Sequence, residues 1–381
     1  MSFWTRKTAS GCRSPNRPTA LIPDMLADTG TIPGNDWGRT MADDPIAAAK
    51  KSSESWYWWG IPTFFRCPWN EDPAAADIAL VGVPHSTGNG STERDQHLGP
   101  RAVRHQSGFY RRVHAIHNIS PWDAARVHDL GDVPLPEAMN NEACLRDIEA
   151  FYKRLDAAGT RPVSIGGDHS ITGGILKAIA GPGRKITDGR PCALVHFDAH
   201  TDSYENMPHW LGAVRSAAHW AAYTVREDSV DASKSVQIGI RGHPSKVIHT
   251  DKVGTVSTGL GYNVITMAEF EELGIQKTVA RIRERVGDAP VYVTFDLDCL
   301  DPSVAPGVAN LEPGFGGMSI REATRILQGL AGLDVIGGDV VCLMPTKDNP
   351  NQITAQVAMV VMFEIINLVA LRMAGAPANA G

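Results

Sequence analysis

Three short segments concentrate side chains that bind metal ions, and each directly follows a run of β-branched and apolar residues. They are Gly166-Gly167-Asp168-His169-Ser170, Asp198-Ala199-His200-Thr201-Asp202 and Asp296-Leu297-Asp298-Cys299-Leu300-Asp301-Pro302. In an extended segment, side chains at i, i+2 and i+4 point to one side, so Asp198, His200 and Asp202 are expected to converge, as are Asp296 and Asp298. Adding His169 gives two imidazoles and four carboxylates. Such a set, with some carboxylates bridging, suits two divalent ions close together, and its oxygen-rich character favours Mn²⁺ or Ni²⁺ over a structural zinc site. Without cations, four crowded acids would repel one another severely. Taken alone, His169 reads as a hydrogen-bonded turn residue and Asp-x-Asp as a solvated loop. The metal reading rests on all three segments standing at successive strand ends. A pair of divalent ions ~3.5–4 Å apart makes water a nucleophile at neutral pH by lowering its pKa towards about 7.

The elements that must position these residues are legible as alternating patterns. Strand-like runs occur at Ile78–Val83, Pro162–Ile165, Ala193–Phe197, Val236–Ile240 and Val291–Phe295, and amphipathic helical patterns at Glu142–Ala157, Met267–Arg285 and Ile320–Leu330. Strands apolar on both faces and separated by helices predict an α/β fold with a mostly parallel central sheet covered on both sides, a three-layer α/β/α arrangement. In such a sheet, functional residues gather beyond the carboxyl ends of the strands. Residues 1–60 are rich in Pro, Ser, Thr, Asp and Gly and lack a sustained period, which predicts an N-terminal arm ahead of a catalytic domain spanning 61–381. The aromatic cluster Trp56-Tyr57-Trp58-Trp59 is expected to dock on the domain or on a neighbouring subunit.

Composition narrows the function class. With 36 basic and 42 acidic residues, a net charge of -6 and no basic stripe, nucleic acid is not an expected partner. The six cysteines show no C-x-x-C spacing, so neither a zinc knuckle nor a disulfide scaffold is indicated, and a reducing cytoplasm fits best. No apolar segment follows the first basic residues, which argues against a secretory signal. The most apolar stretch, Val357–Leu371, carries Glu364 and Asn367, falls short of a membrane span and predicts a buried C-terminal helix.

In their order and separation the three segments resemble the signatures of the ureohydrolase family, which includes arginases, agmatinases and guanidino-acid hydrolases. The resemblance runs from about Asp77 to Leu371, with further landmarks at Gly82-Val83-Pro84, Gly99-Pro100-Arg101-Ala102-Val103-Arg104, Asp129-Leu130-Gly131-Asp132-Val133, Gly239-Ile240-Arg241-Gly242 and Ala305-Pro306-Gly307. It implies that His169, Asp198, Asp202 and Asp296 hold one ion and Asp198, His200, Asp296 and Asp298 the other, with Asp198 and Asp296 bridging. Asp301 looks like a turn-stabilising residue instead. The reaction implied is hydrolysis of a guanidinium carbon, a poor electrophile because its charge is spread over three nitrogens. His209 stands near the place of the family's proton-shuttling loop histidine, although it lacks the glycine that usually follows.

The sequence also departs from the family pattern. Where the family places a glutamate that contacts the guanidinium nitrogens, this chain has Cys342, in Gly338-Asp339-Val340-Val341-Cys342. Segment 310–317 is longer than usual, and 88–95 does not match typical agmatinases. Within the family the chain therefore looks most like guanidine hydrolases and metformin (dimethylbiguanide) hydrolases, which implies a small guanidine or N-alkylated substrate. If Glu312 replaces the missing contact, an agmatine-like or guanidino-acid substrate is the alternative. A catalytically silent subunit supporting an active partner is the alternative from outside enzymology. The family resemblance implies a trimer or hexamer of one or two chain types.

Overall fold

The computed structural model describes residues 60–89, 94–110, 112–205, 209, 212–242, 255–314 and 316–375. The aromatic cluster at 56–59, and with it the expected arm, lies outside these residues, as do 90–93 and Phe315 in the two divergent loops.

Eight strands form one sheet: β1 Ile78–Val83, β2 Val127–Asp132, β3 Arg161–Gly166, β4 Ala193–Phe197, β5 Val236–Ile240, β6 Asn263–Thr266, β7 Val291–Asp296 and β8 Val335–Val341. The spatial order is β2-β1-β3-β8-β7-β4-β5-β6. Every pairing between neighbours is parallel. Five of these strands are the runs expected from sequence. The other three escape a periodicity test for physical reasons: β2 and β6 are edge strands with partly exposed positions, and β8 carries Gly337 and Gly338 in its middle. Backbone crowding accounts for the second of these glycines. A Cβ at Gly338 would stand 2.4 Å from the Val293 carbonyl oxygen of β7.

Alternating side chains feed two apolar layers. Ile78, Leu80, Val163, Ile165, Val195, Phe197, Val293 and Phe295 pack on one face with Phe270, Ile326 and Ile365 from the helices Met267–Val286, Ile320–Gln328 and Ile353–Met373. Ala79, Val81, Leu194 and Tyr292 pack on the other with Ile148, Ile175 and Trp220 from Asn141–Ala158, Ser170–Ile179 and Trp220–Arg226. This is the expected three-layer arrangement. Helix ends follow local chemistry: Ser319 and Glu322 form a reciprocal capping box, Thr266 caps Glu269, and Asn140 caps Ala143. The expected C-terminal helix is buried, and its polar residues are partnered. Glu364 accepts from Gln328 at 2.8 Å and faces His114 Nε2 at 2.9 Å, while Asn367 faces His117.

The close approach at Gly338 gives a test of how tightly β8 is clamped between β3 and β7. Gly338→Ala should destabilise the protein by ~1–3 kcal/mol, the usual range for overpacking, and lower Tm by several degrees. An unchanged thermal melt would show that the central strands can part.

Candidate metal centre

Each expected ligand stands at the carboxyl end of a central strand. After β3 the chain turns through Gly167, and His169 sits at the N-terminus of the helix Ser170–Ile179. Asp168, next to it, is structural. One of its oxygens accepts from Gly88 N at 2.8 Å and the other from Ser170 N at 3.0 Å, tying the loop after β1 to this helix start. Asp198 to Asp202 follow β4, and Asp296 and Asp298 end β7. The convergence expected from extended backbone is achieved by other means. Asp202 lies in the left-handed region at φ 48°, and Asp298 stands in a single 3-10 turn whose N-cap, Asp296, accepts from Asp298 N at 2.9 Å.

His169 Nδ1 lies 3.0 Å from Asp198 Oδ2, 3.0 Å from Asp202 Oδ2 and 3.3 Å from Asp296 Oδ2. It is buried, yet none of these oxygens is placed to accept a hydrogen bond from it. One nitrogen and three oxygens thus surround a common space without satisfying one another, as a cation site requires. A second cluster shares Asp198: His200 Nδ1 lies 3.4 Å from Asp198 Oδ1 and 3.2 Å from Asp298 Oδ2. All six expected ligands are therefore brought together. His169, Asp198, Asp202, Asp296 and Asp298 are buried, and His200 is partly open.

The electrostatics show what this crowding demands. Burial, reinforced by Asp198, pushes the Asp202 carboxyl up. Burial, reinforced by Asp296, pushes Asp298 well up. Burial works against charge on Asp198 too, but His169, His196 and His200 all face it and hold it well below the usual carboxylate range. Burial likewise disfavours charge on His169, and the surrounding carboxylates override it to keep its affinity for a proton well above normal. Positive charge is thus called for at Nδ1, whether a proton or a metal ion supplies it.

The residues that support the ligands were not identifiable as such from sequence. His196, on β4 two residues before Asp198, lies within the same carboxylate cluster. Its ring nitrogens are already committed, however: Gln237 Nε2 donates to Nδ1 at 3.0 Å, leaving Nε2–H to donate to Asp198 Oδ2 at 2.8 Å. Gln237 is oriented by a second donation, 2.8 Å to Thr201 O. His196 thus orients Asp198, with both of its own ring nitrogens in hydrogen bonds. Trp220 Nε1 donates to Asp202 Oδ2 at 2.9 Å, and the indole packs on His169 with ring centroids 4.8 Å apart. The available signal was polar residues inside otherwise apolar runs.

The remaining expected site residues differ in burial. His209 is exposed. A second histidine, His219, is nearly buried one residue before Trp220, its Nδ1 2.8 Å from Ser216 Oγ. Glu312 Oε1 lies 3.0 Å from His200 Nε2. Cys342 is buried just past β8, in the left-handed region at φ 69°, with its N–H donating to Gly167 O at 2.8 Å. Asp301 accepts from Ser303 N at 2.9 Å and Gly317 N at 3.2 Å, the turn-stabilising role expected of it.

Comparison with known proteins agrees with this geometry. The model of the arginase family matches residues 76–367. Guanidinopropionase of Pseudomonas aeruginosa is 41% identical over 315 residues, covering 82% of this chain and 92% of that protein. Agmatinase of Neisseria meningitidis is 35% identical over 312 residues, covering 80% and 92% respectively. The solved structure of proclavaminate amidinohydrolase from Streptomyces clavuligerus superposes with a TM-score of 0.73 at 32% identity, covering 83% of this chain and 99% of that one. The matched span contains all three ligand-bearing segments, and the chain belongs to the arginase family as an amidinohydrolase acting on guanidino carbon–nitrogen bonds.

Proposed function

We propose that this amidinohydrolase uses two divalent ions, Mn²⁺ or Ni²⁺, and takes as substrate a small guanidine or an N-alkylated guanidine or biguanide of the metformin type. His169, Asp198, Asp202 and Asp296 would hold one ion, and Asp198, His200, Asp296 and Asp298 the other. The unsatisfied Nδ1 of His169 among three carboxylate oxygens is the feature that fits them. When bound, such a pair supplies Lewis acidity and a nucleophile at neutral pH. The chain's own part is to hold the carboxylates in place, exclude water beneath them and bring a proton to the leaving nitrogen. His209 is assigned that proton, since its exposure lets it exchange with solvent.

The substrate reading rests on Cys342. Burial, and after it the charges of Asp296 and Asp298, push its thiol well above the ordinary range, so it stands neutral beside the centre. A carboxylate there would be worth about 1.5–3 kcal/mol for each hydrogen bond to a charged N–H group, and that gain is lost when the nitrogen carries alkyl groups. A neutral thiol behaves as a small hydrophobe and suits an alkylated nitrogen. Glu312, the other acid considered for guanidinium contact, already has one oxygen against His200 and serves here to orient that imidazole. The 41% identity to guanidinopropionase favours a second reading, in which the substrate is a guanidino acid.

Asp198→Asn should abolish activity and reduce the metal bound per chain, because the residue faces both histidines. Near-normal turnover with full metal content would refute the two-ion assignment. His209→Ala should lower kcat by about 10²–10⁴-fold with metal content intact, the scale expected for a lost general acid. If kcat is unchanged there but falls in His219→Ala, the proton belongs to the buried histidine. Finally, kcat/KM measured side by side should favour guanidine or dimethylbiguanide over agmatine and 3-guanidinopropionate. A clear preference for either of the latter overturns the substrate proposal.

A further inference from the structure

One register row beneath the centre is polar across five strands. Ser164 of β3 stands opposite Asp339 of β8, Asp339 opposite Thr294 of β7, Thr294 opposite His196 of β4, and His196 opposite Gln237 of β5. All five side chains are fully buried. The row lies two residues before Asp198 and Asp296 on their own strands, and so faces the same side of the sheet as those ligands. His196 and Gln237 have been accounted for through Asp198. Asp339 has not, and it is the unusual member, a buried acid with no ion pair among the described residues.

We propose that Asp339, acting through Thr294, is a positioning residue that fixes the ring orientation of His169 and reserves its Nδ1 for a metal ion. Asp339 is surrounded by hydroxyls: Thr294 Oγ1 lies 2.6 Å from Oδ1, while Tyr292 Oη and Thr172 Oγ1 lie 2.8 and 2.9 Å from Oδ2. A carboxylate can only accept, so each hydroxyl must donate its proton to it. Thr294 then has only acceptor capacity left for its other neighbour, His169 Nε2, 2.8 Å away. Nε2 must therefore carry a hydrogen and donate. Nδ1 is left as the nitrogen that faces Asp198, Asp202 and Asp296.

Packing alone cannot make this choice. The imidazole is held between Trp220, 4.8 Å away, and His196, 5.1 Å away. These contacts define its plane, but a half-turn of the ring exchanges nitrogen for carbon at almost no change in shape. A directional acceptor at Nε2, acting with the carboxylates that face Nδ1, distinguishes the two orientations. The charge of Asp339 has its own part. Three hydroxyls could be satisfied by a neutral amide or by one another, and burying a carboxylate is costly. An anion one hydroxyl away from an imidazole strengthens that ring as a ligand, as outer-sphere acids do in known metal sites.

This inference rests on the two-ion reading, and one titration separates the two. Mn²⁺ is titrated against a competing chelator into the metal-free parent, Thr294→Val, Thr294→Ser and Asp339→Asn, with the metal-free Tm of each measured alongside. The parent should bind two ions. Thr294→Val, equal in shape but unable to accept, should bind one of them ~10–100-fold more weakly and leave the other unchanged. Thr294→Ser should restore the loss, and Asp339→Asn should weaken the same ion. A parent that binds no more than one ion defeats the two-ion reading itself. If the parent binds two and Thr294→Val binds both as tightly, the relay is wrong; if Thr294→Val does not fold, tight binding of both ions by Asp339→Asn overturns the relay in its place. Equal weakening of both ions together with a lowered metal-free Tm reduces the row to a structural role and also overturns the proposal.

Discussion

Four carboxylates share one buried space, and the rest of the architecture answers to that. At an effective dielectric of about 20, two unit charges 4 Å apart interact by about 4 kcal/mol, and Asp198, Asp202, Asp296 and Asp298 present several such pairs. Burial removes the water that would screen them. The cluster can persist only if positive charge is gathered with it. Two histidines turn Nδ1 inward, and both have Nε2 held from behind, by Thr294 in one case and Glu312 in the other. The cost of assembling the acids is thus tied to the cations they collect, which couples metal binding to the stability of the strand ends.

Strand order explains why these residues can meet at all. The expected ligands come from β3, β4 and β7, which are distant in sequence, and β8 separates β3 from β7. Parallel pairing brings all the carboxyl ends to one edge of the sheet, and the central position of β8 places Asp339, near its end, and Cys342, just past it, below and beside the expected ligands. Two non-glycine residues at the site, Asp202 and Cys342, adopt left-handed backbone. Such conformations cost on the order of 1–3 kcal/mol and persist where surrounding contacts over-determine them. Here Trp220 holds Asp202, and the Gly167 carbonyl holds the Cys342 backbone.

The cluster of two histidines and four aspartates was legible in the sequence because its members stand at short spacings, and those survive as local patterns. The apolar strands and capped helices were legible for a similar reason, since each is a periodic signal within a few residues. The backbone route was less accessible. Asp198, His200 and Asp202 do lie together, but on a bend with a left-handed residue, where an extended segment was expected. The supporting row of Ser164, Asp339, Thr294, His196 and Gln237 could not be read at all, because it exists only in the register of five strands. Its members look like isolated polar residues within apolar runs. Likewise, Glu312 was considered as a guanidinium contact, and the fold places it against His200, a pairing between residues 112 positions apart.

Floor and rim have different freedom to change. In the floor, three side chains are each bound in two directions: Gln237 to His196 and Thr201, His196 to Gln237 and Asp198, Thr294 to Asp339 and His169. Replacing any one of them strands a buried polar partner, at about 1–3 kcal/mol for each unsatisfied group. The rim lacks that constraint, since Leu311, Pro313 and Gly314 beside Glu312 are exposed, and surface loops tolerate change. Cys342 stands at the boundary. Its backbone is fixed to Gly167, and its thiol stands against Asp296. On the proposed reading, a change of residue type there alters what the substrate meets, so a chain can keep guanidinium hydrolysis while taking a substrate with different groups on nitrogen.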